Sequence, residues 1–168
     1  RFGYERFASA CAKAGVDALI TVDLPPEEVD EIDGALLAVG LDNIFLISPT
    51  TPEARIQTIV ERARGFIYCV AVKGVTGSGQ LNAEEVSRSV ALIRQKTDLP
   101  IAVGFGIKDA ESARAVAASA DAVVVGSALI AEMDKKAQSD EDLQEIQIHD
   151  AAVQLLQSMR AGVDSSPS

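Results

Sequence analysis

The residues best suited to chemistry are glycines that end short apolar runs. Gly104-Phe105-Gly106 closes IAVGFG over 101–106, and Gly126-Ser127 closes VVVGS over 123–127. Each run has the composition of a buried parallel strand. The glycines let the backbone come close to a ligand and turn into a helix. Ser127 falls where a helix N-cap is expected, so that the amides behind it could hold an oxyanion on the helix dipole. The two ends are one βα unit apart, as in the phosphate site formed by the loops after the last two strands of a (β/α)8 barrel. The plainer alternative is that the glycines only permit tight turns.

A third glycine cluster, KGVTGSGQ over 73–80, places Gly74, Gly77 and Gly79 around the hydroxyl of Thr76. Following a strand, such a loop reads as a lid over substrate or as an ordinary long turn. Tyr68, Phe105 and Ile20 lie in or at the ends of expected strands and could wall a planar apolar ligand, although any barrel interior holds such side chains. Asp23 ends its strand just before Leu24-Pro25-Pro26, where it either faces the mouth of a site or caps the turn. Nothing completes a nucleophilic triad. His149 is the one histidine and reads as a surface residue, and Cys11 and Cys69 form no CxxC or His/Cys cluster. Beyond Asp23 no paired carboxylates stand near strand ends. General acid–base chemistry is therefore absent or incomplete in this chain.

The elements that must position these residues alternate. Helices are expected over 4–14, 27–39, 51–64, 83–96, 109–118 and 127–136, with a last one over 141–159. Strands are expected over 17–23, 43–48, 66–72, 100–106 and 121–126. Val29, Ile32, Leu36 and Leu37 recur at helical spacing, with Glu27 and Glu28 suited to the first turn. Thr51 reads as an N-cap with Pro52 at the first helical position. Five strands, each followed by a helix, imply parallel pairing through right-handed crossovers. They fit either an open doubly wound sheet or most of an eight-unit barrel, which takes about 250 residues when complete. The expected architecture is an incomplete (β/α)8 TIM barrel over 1–163 with a disordered tail over 164–168.

Composition agrees. The 168 residues are 48% hydrophobic and 4% aromatic, enough for one core in which the sheet is buried on both sides. A net charge of −10 argues against nucleic acid and against an anionic membrane as partners. No apolar run is long enough to span a bilayer. Sparse, dispersed cysteines fit a reducing, cytoplasmic setting without metal or disulfides. RFGYERF at the start has no initiating Met and no signal-peptide pattern, and reads as the middle of a larger architecture.

Four segments, in order and at the expected spacing, resemble the tryptophan synthase alpha subunit: VDALITVDLPPEE over 16–28, YCVAVKGVTG over 68–77, GFGI over 104–107 and VVGSALI over 124–130. The resemblance spans about 4–159 and corresponds to the family's fourth to eighth strands. It implies a (β/α)8 barrel that cleaves indole-3-glycerol phosphate to indole and glyceraldehyde 3-phosphate by a retro-aldol reaction. It also implies a pyridoxal-phosphate-dependent beta subunit as partner in an α2β2 complex, with indole passed through a tunnel and no cofactor or metal in the alpha subunit itself. Carried over by motif, Gly77, Gly106, Gly126 and Ser127 would hold the phosphate through backbone amides. Thr76 would belong to the closing loop, and Tyr68, Phe105 and Ile20 would wall the indole pocket. Asp23, Pro25 and Pro26 would lie near the beta-subunit contact. The family's proton-transferring glutamate and aspartate belong to the second strand and its loop, upstream of Arg1, and Phe66 stands where the family often has tyrosine. Two alternatives stand beside this reading. One is another phosphate-binding barrel, such as a sugar-phosphate isomerase or epimerase. The other is a non-catalytic assembly module that self-associates through open sheet edges.

Overall fold

The computed structural model describes residues 2–22, 24–71, 83–104, 106–138 and 145–166. The order is α1 (Tyr4–Lys13), β1 (Ala18–Ile20), α2 (Asp30–Leu37), β2 (Asp42–Ile47), α3 (Glu53–Arg62), β3 (Ile67–Val70), α4 (Ala83–Arg94), β4 (Ile101–Gly104), α5 (Ala110–Ala117), β5 (Ala122–Val124), α6 (Ser127–Gln138) and α7 (Glu145–Asp164). The five strands form one parallel sheet in the order β1-β2-β3-β4-β5. Every crossover therefore steps the same way, and right-handed crossovers then bring the helices to one face. A doubly wound sheet would reverse direction and cover both faces. The arc is that of a barrel wall.

On the helix-covered face Phe45, Ile47, Ile67, Cys69, Ile101 and Val103 are buried. They pack against Ile32, Leu36, Ile56, Ile59, Val86, Val90, Ile93 and Val116, which recur at helical spacing on α2 to α5. Burial pushes the Cys69 thiol up to about 11, so it packs as a small apolar group. Ion pairs tie neighbouring elements together around the outside: Arg55 to Glu27 at 3.3 Å, Arg64 to Asp33 at 2.9 Å, Lys96 to Glu53 at 2.9 Å and Arg94 to Asp121 at 2.7 Å. Burial on both sides, expected from composition, holds only in part, with Ile44 and Ala102 buried on the face away from this core. On the opposite face Ile20 is 48% exposed, and Leu46, Tyr68 and Val70 are half-buried.

Several local expectations also change. α2 begins at Asp30, so its first-turn acids are Asp30, Glu31 and Asp33, while Glu28 donates its amide to the Pro25 carbonyl in a preceding turn. Leu37 lies on the exposed side of α2. Thr51 does not cap α3. Its hydroxyl accepts from the Ser48 amide at 3.0 Å, and Pro52 itself takes the N-cap position. α3 ends at Arg62, freeing Arg64 to reach Asp33 and Asp42. Of the expected tail, Asp164 closes α7, Ser166 donates its hydroxyl to the Arg114 carbonyl, and 167–168 lie outside the described residues.

Candidate functional site

Strand register brings the glycine-bearing ends together. Gly104 pairs with Val124 across β4 and β5, so Gly106 and Gly126 each stand two residues beyond one paired level. Gly106 has φ +77°, in the left-handed region that favours glycine, and so re-aims the chain immediately after β4. Gly126 is the residue before α6, and its carbonyl accepts from the Leu129 amide at 2.9 Å. Ser127 is thus the first helical residue, one position further in than the N-cap the sequence suggests. Its own amide is then among the first-turn donors that lack an intrahelical acceptor. α1 to α5 each carry at least one carboxylate in the first turn, but α6 carries none. No carboxylate of its first turn therefore offsets the positive end of its dipole.

The open face supplies the wall. Ile20 pairs with Ile44, and Leu46 pairs with Tyr68, which in turn pairs with Ala102. With a side-chain period of two, Ile20, Ile44, Leu46, Tyr68, Val70, Ala102, Gly104 and Val124 share this face. Tyr68 lies across Gly104, where an added Cβ would fall 2.1 Å from the phenol oxygen. Gly104, the last residue of β4, is therefore a seat for the ring. Partial burial raises the Tyr68 phenol above its ordinary value, keeping it protonated and neutral.

Ile20 and Tyr68 thus lie on one face, and Gly106, Gly126 and Ser127 at one end of it. Thr76, Gly77, Phe105 and Asp23 lie outside the described residues. Pro26 is buried and Pro25 half-buried beside a cleft of about 360 Å³ that Thr21, Val22, Thr51 and Arg55 also line. Sequence reasoning missed that Leu46, Val70 and Val124 share the face of Ile20 and Tyr68. The only signal for them is cross-strand register, which appears once the strands are paired. Among the described residues no group of three or more His, Cys, Asp or Glu could hold a metal. No described helix is long and apolar enough to cross a membrane.

A singly wound parallel sheet, helices on one face and glycine-turned carboxyl ends make this a portion of a (β/α)8 barrel. The model of one family, described as tryptophan synthase alpha chain, matches residues 1–160. A tryptophan synthase alpha chain of Chromobacterium violaceum is 55% identical over 132 residues, covering 79% of this chain and 50% of the relative. That of Bordetella parapertussis is 48% identical over 165 residues, 98% of this chain and 58% of the relative. The solved alpha chain of Legionella pneumophila superposes with a TM-score of 0.84 at 38% identity, covering 99% of this chain and 59% of that one. The chain belongs to the tryptophan synthase alpha chain family. It spans about half the length of the curated relatives it matches.

Proposed function

We propose that this chain supplies the phosphate grip and the indole wall of an alpha chain that cleaves indole-3-glycerol phosphate to indole and glyceraldehyde 3-phosphate. The observation that carries the reading is that Gly106 and Gly126 each follow the paired Gly104 and Val124 by two residues, after adjacent strands and ahead of a helix with no first-turn carboxylate. Amides of Gly77, Gly106, Gly126 and Ser127 bind the phosphate. Tyr68, Ile20 and Phe105 face the indole, joined by Leu46, and Thr76 belongs to the loop that closes over the substrate. A retro-aldol step takes a proton from a hydroxyl, breaks the adjacent carbon–carbon bond and places a proton on the departing carbon. It therefore needs a positioned base and acid. Those groups, a glutamate and an aspartate, belong to the family's second strand and the loop after it.

The same reading gives the chain no cofactor of its own. Pyridoxal phosphate belongs to a beta subunit, which docks near Asp23, Pro25 and Pro26 in an α2β2 complex in the cytoplasm. Titration with glycerol 3-phosphate, followed by amide chemical shifts, tests the grip. Shifts are expected at Gly77, Gly106, Gly126 and Ser127, and their absence there would overturn the phosphate assignment. Cleavage of indole-3-glycerol phosphate by this chain alone at an ordinary enzymatic rate would overturn the placing of the acid–base pair.

A further inference from the structure

A glycine at φ +77°, as Gly106 is, has wide backbone freedom of its own, so the loop that carries it must be held from elsewhere. Donors that bind an anion through backbone amides work best when they are aimed before the ligand arrives. Directly after Gly106, Ile107 is buried in the core. The next two amides converge on one hydroxyl. Lys108 donates to the Ser112 Oγ at 3.1 Å, and Asp109 donates to it at 3.2 Å. The hydroxyl proton goes to the Asp109 carboxylate at 2.7 Å, and that carboxylate also accepts from the Ser112 amide at 2.8 Å. A hydroxyl has one donor and two acceptor sites, so that of Ser112 is fully used. A capping box on α5 needs the Ser112 and Asp109 amides and no more. The Lys108 amide belongs to the loop, and its bond ties the loop to the first turn of α5.

That first turn has its own support. A Cβ at Gly162 of α7 would fall 2.4 Å from the Ala110 carbonyl oxygen, so the two backbones meet there. Further along both helices, the Ser166 hydroxyl donates to the Arg114 carbonyl at 3.0 Å. We propose that Ser112 is a positioning residue for the phosphate grip, its hydroxyl holding Lys108 and Asp109 so that the Gly106 amide stays aimed at an incoming phosphate monoester. α7 is the support behind α5, and Ser112 passes that support to the loop. The inference rests on the phosphate reading of Gly106 and adds to it a side chain that acts through the loop backbone.

Titration with glycerol 3-phosphate, read by amide shifts, tests it on the wild-type chain and on Ser112→Ala, Ser112→Thr and Ser119→Ala. Ser119 follows the other end of α5 and bonds only to the nearby Val116 carbonyl, at 3.4 Å, which makes it the control. Ser112→Ala keeps the Asp109 carboxylate on the amide of residue 112, so α5 stays capped, and far-UV circular dichroism checks the fold of each variant. Ser112→Ala is expected to weaken binding about threefold to tenfold, the weight of one net hydrogen bond. Exchange of the Lys108 amide is expected to speed up at least about tenfold in the same variant. Ser112→Thr keeps a hydroxyl and is expected to restore both readouts, while Ser119→Ala leaves both at the wild-type value. Wild-type affinity in folded Ser112→Ala would overturn the inference and leave the phosphate reading standing, since Ser112 would then be a helix cap and nothing more. Loss of affinity in Ser112→Thr as large as in Ser112→Ala would also overturn it. A wild-type chain that gives no response to the ligand would instead overturn the phosphate reading, and the role of Ser112 in the grip with it.

Discussion

Tyr68 and Gly104 make one unit, because the ring occupies the space a side chain at 104 would need. Gly104→Ala must push the phenol off its seat toward the open face, at a cost of about 1–3 kcal/mol. Tyr68→Ala removes the clash, so a double-mutant cycle by urea denaturation should show coupling of about 1 kcal/mol or more. Additive losses would disprove the seating. Asp121 acts at the other end of the sheet, accepting from the Ile101 amide at 2.8 Å and from Arg94 at 2.7 Å. The Ile101 amide, with Arg94 beside it, holds the carboxyl below the usual aspartate range. A group with a lowered folded pKa stabilises fully above its unfolded value, and that contribution fades as pH falls through the lower folded one. Asp121 is 41% exposed, and screening limits the loss in Asp121→Ala to about 1 kcal/mol near neutral pH. Urea titrations from about pH 7 to about pH 3 should show the gap between wild type and variant closing at the acid end. A gap that widens would contradict the assignment.

Element boundaries moved where a side chain found a partner the local pattern does not reveal. Asp109 behaves as its position suggests, accepting from the Ser112 amide at 2.8 Å to cap α5, and that hydrogen bonding lowers its carboxyl pKa. Thr51, an equally good capping type, bonds to Ser48 instead. Nothing in the local sequence separates these two cases. Gly162 marks a contact that helical periodicity cannot show. A Cβ there would meet the Ala110 carbonyl oxygen at 2.4 Å, so α7 packs directly on the backbone of α5. Backbone cannot rotate away as the Tyr68 ring can, so Gly162→Ala should cost about 2 kcal/mol or more and loosen α7 first. Protease cleavage within α7 at low urea is the measurement, and an unchanged cleavage rate would count against it.

Across the whole molecule, protection should follow strand position. β2, β3 and β4 have neighbours on both sides, whereas β1 and β5 are edges. Native-state hydrogen exchange should therefore be slowest at Asp42–Ile47, Ile67–Val70 and Ile101–Gly104, and faster at the two edges by at least about tenfold. Uniform protection would mean that the arc opens only as a whole. The five-strand alternation, the parallel sheet and the barrel class were legible because period and glycine punctuation are local properties of the chain. The uncovered face was not legible, since an apolar run looks the same whether one side or both are buried.

The sequence by itself determined the number and order of the βα units, the glycine ends that define the candidate phosphate grip, and the family. These are encoded in residue type and spacing along the chain. Only the tertiary structure decided that Gly104 pairs with Val124 across β4 and β5, that Leu46 shares one face with Tyr68 and Ile20, and that Gly104 seats a ring. Each of those depends on which strand lies beside which and in what register, and hydrogen bonding between segments distant in sequence sets that register.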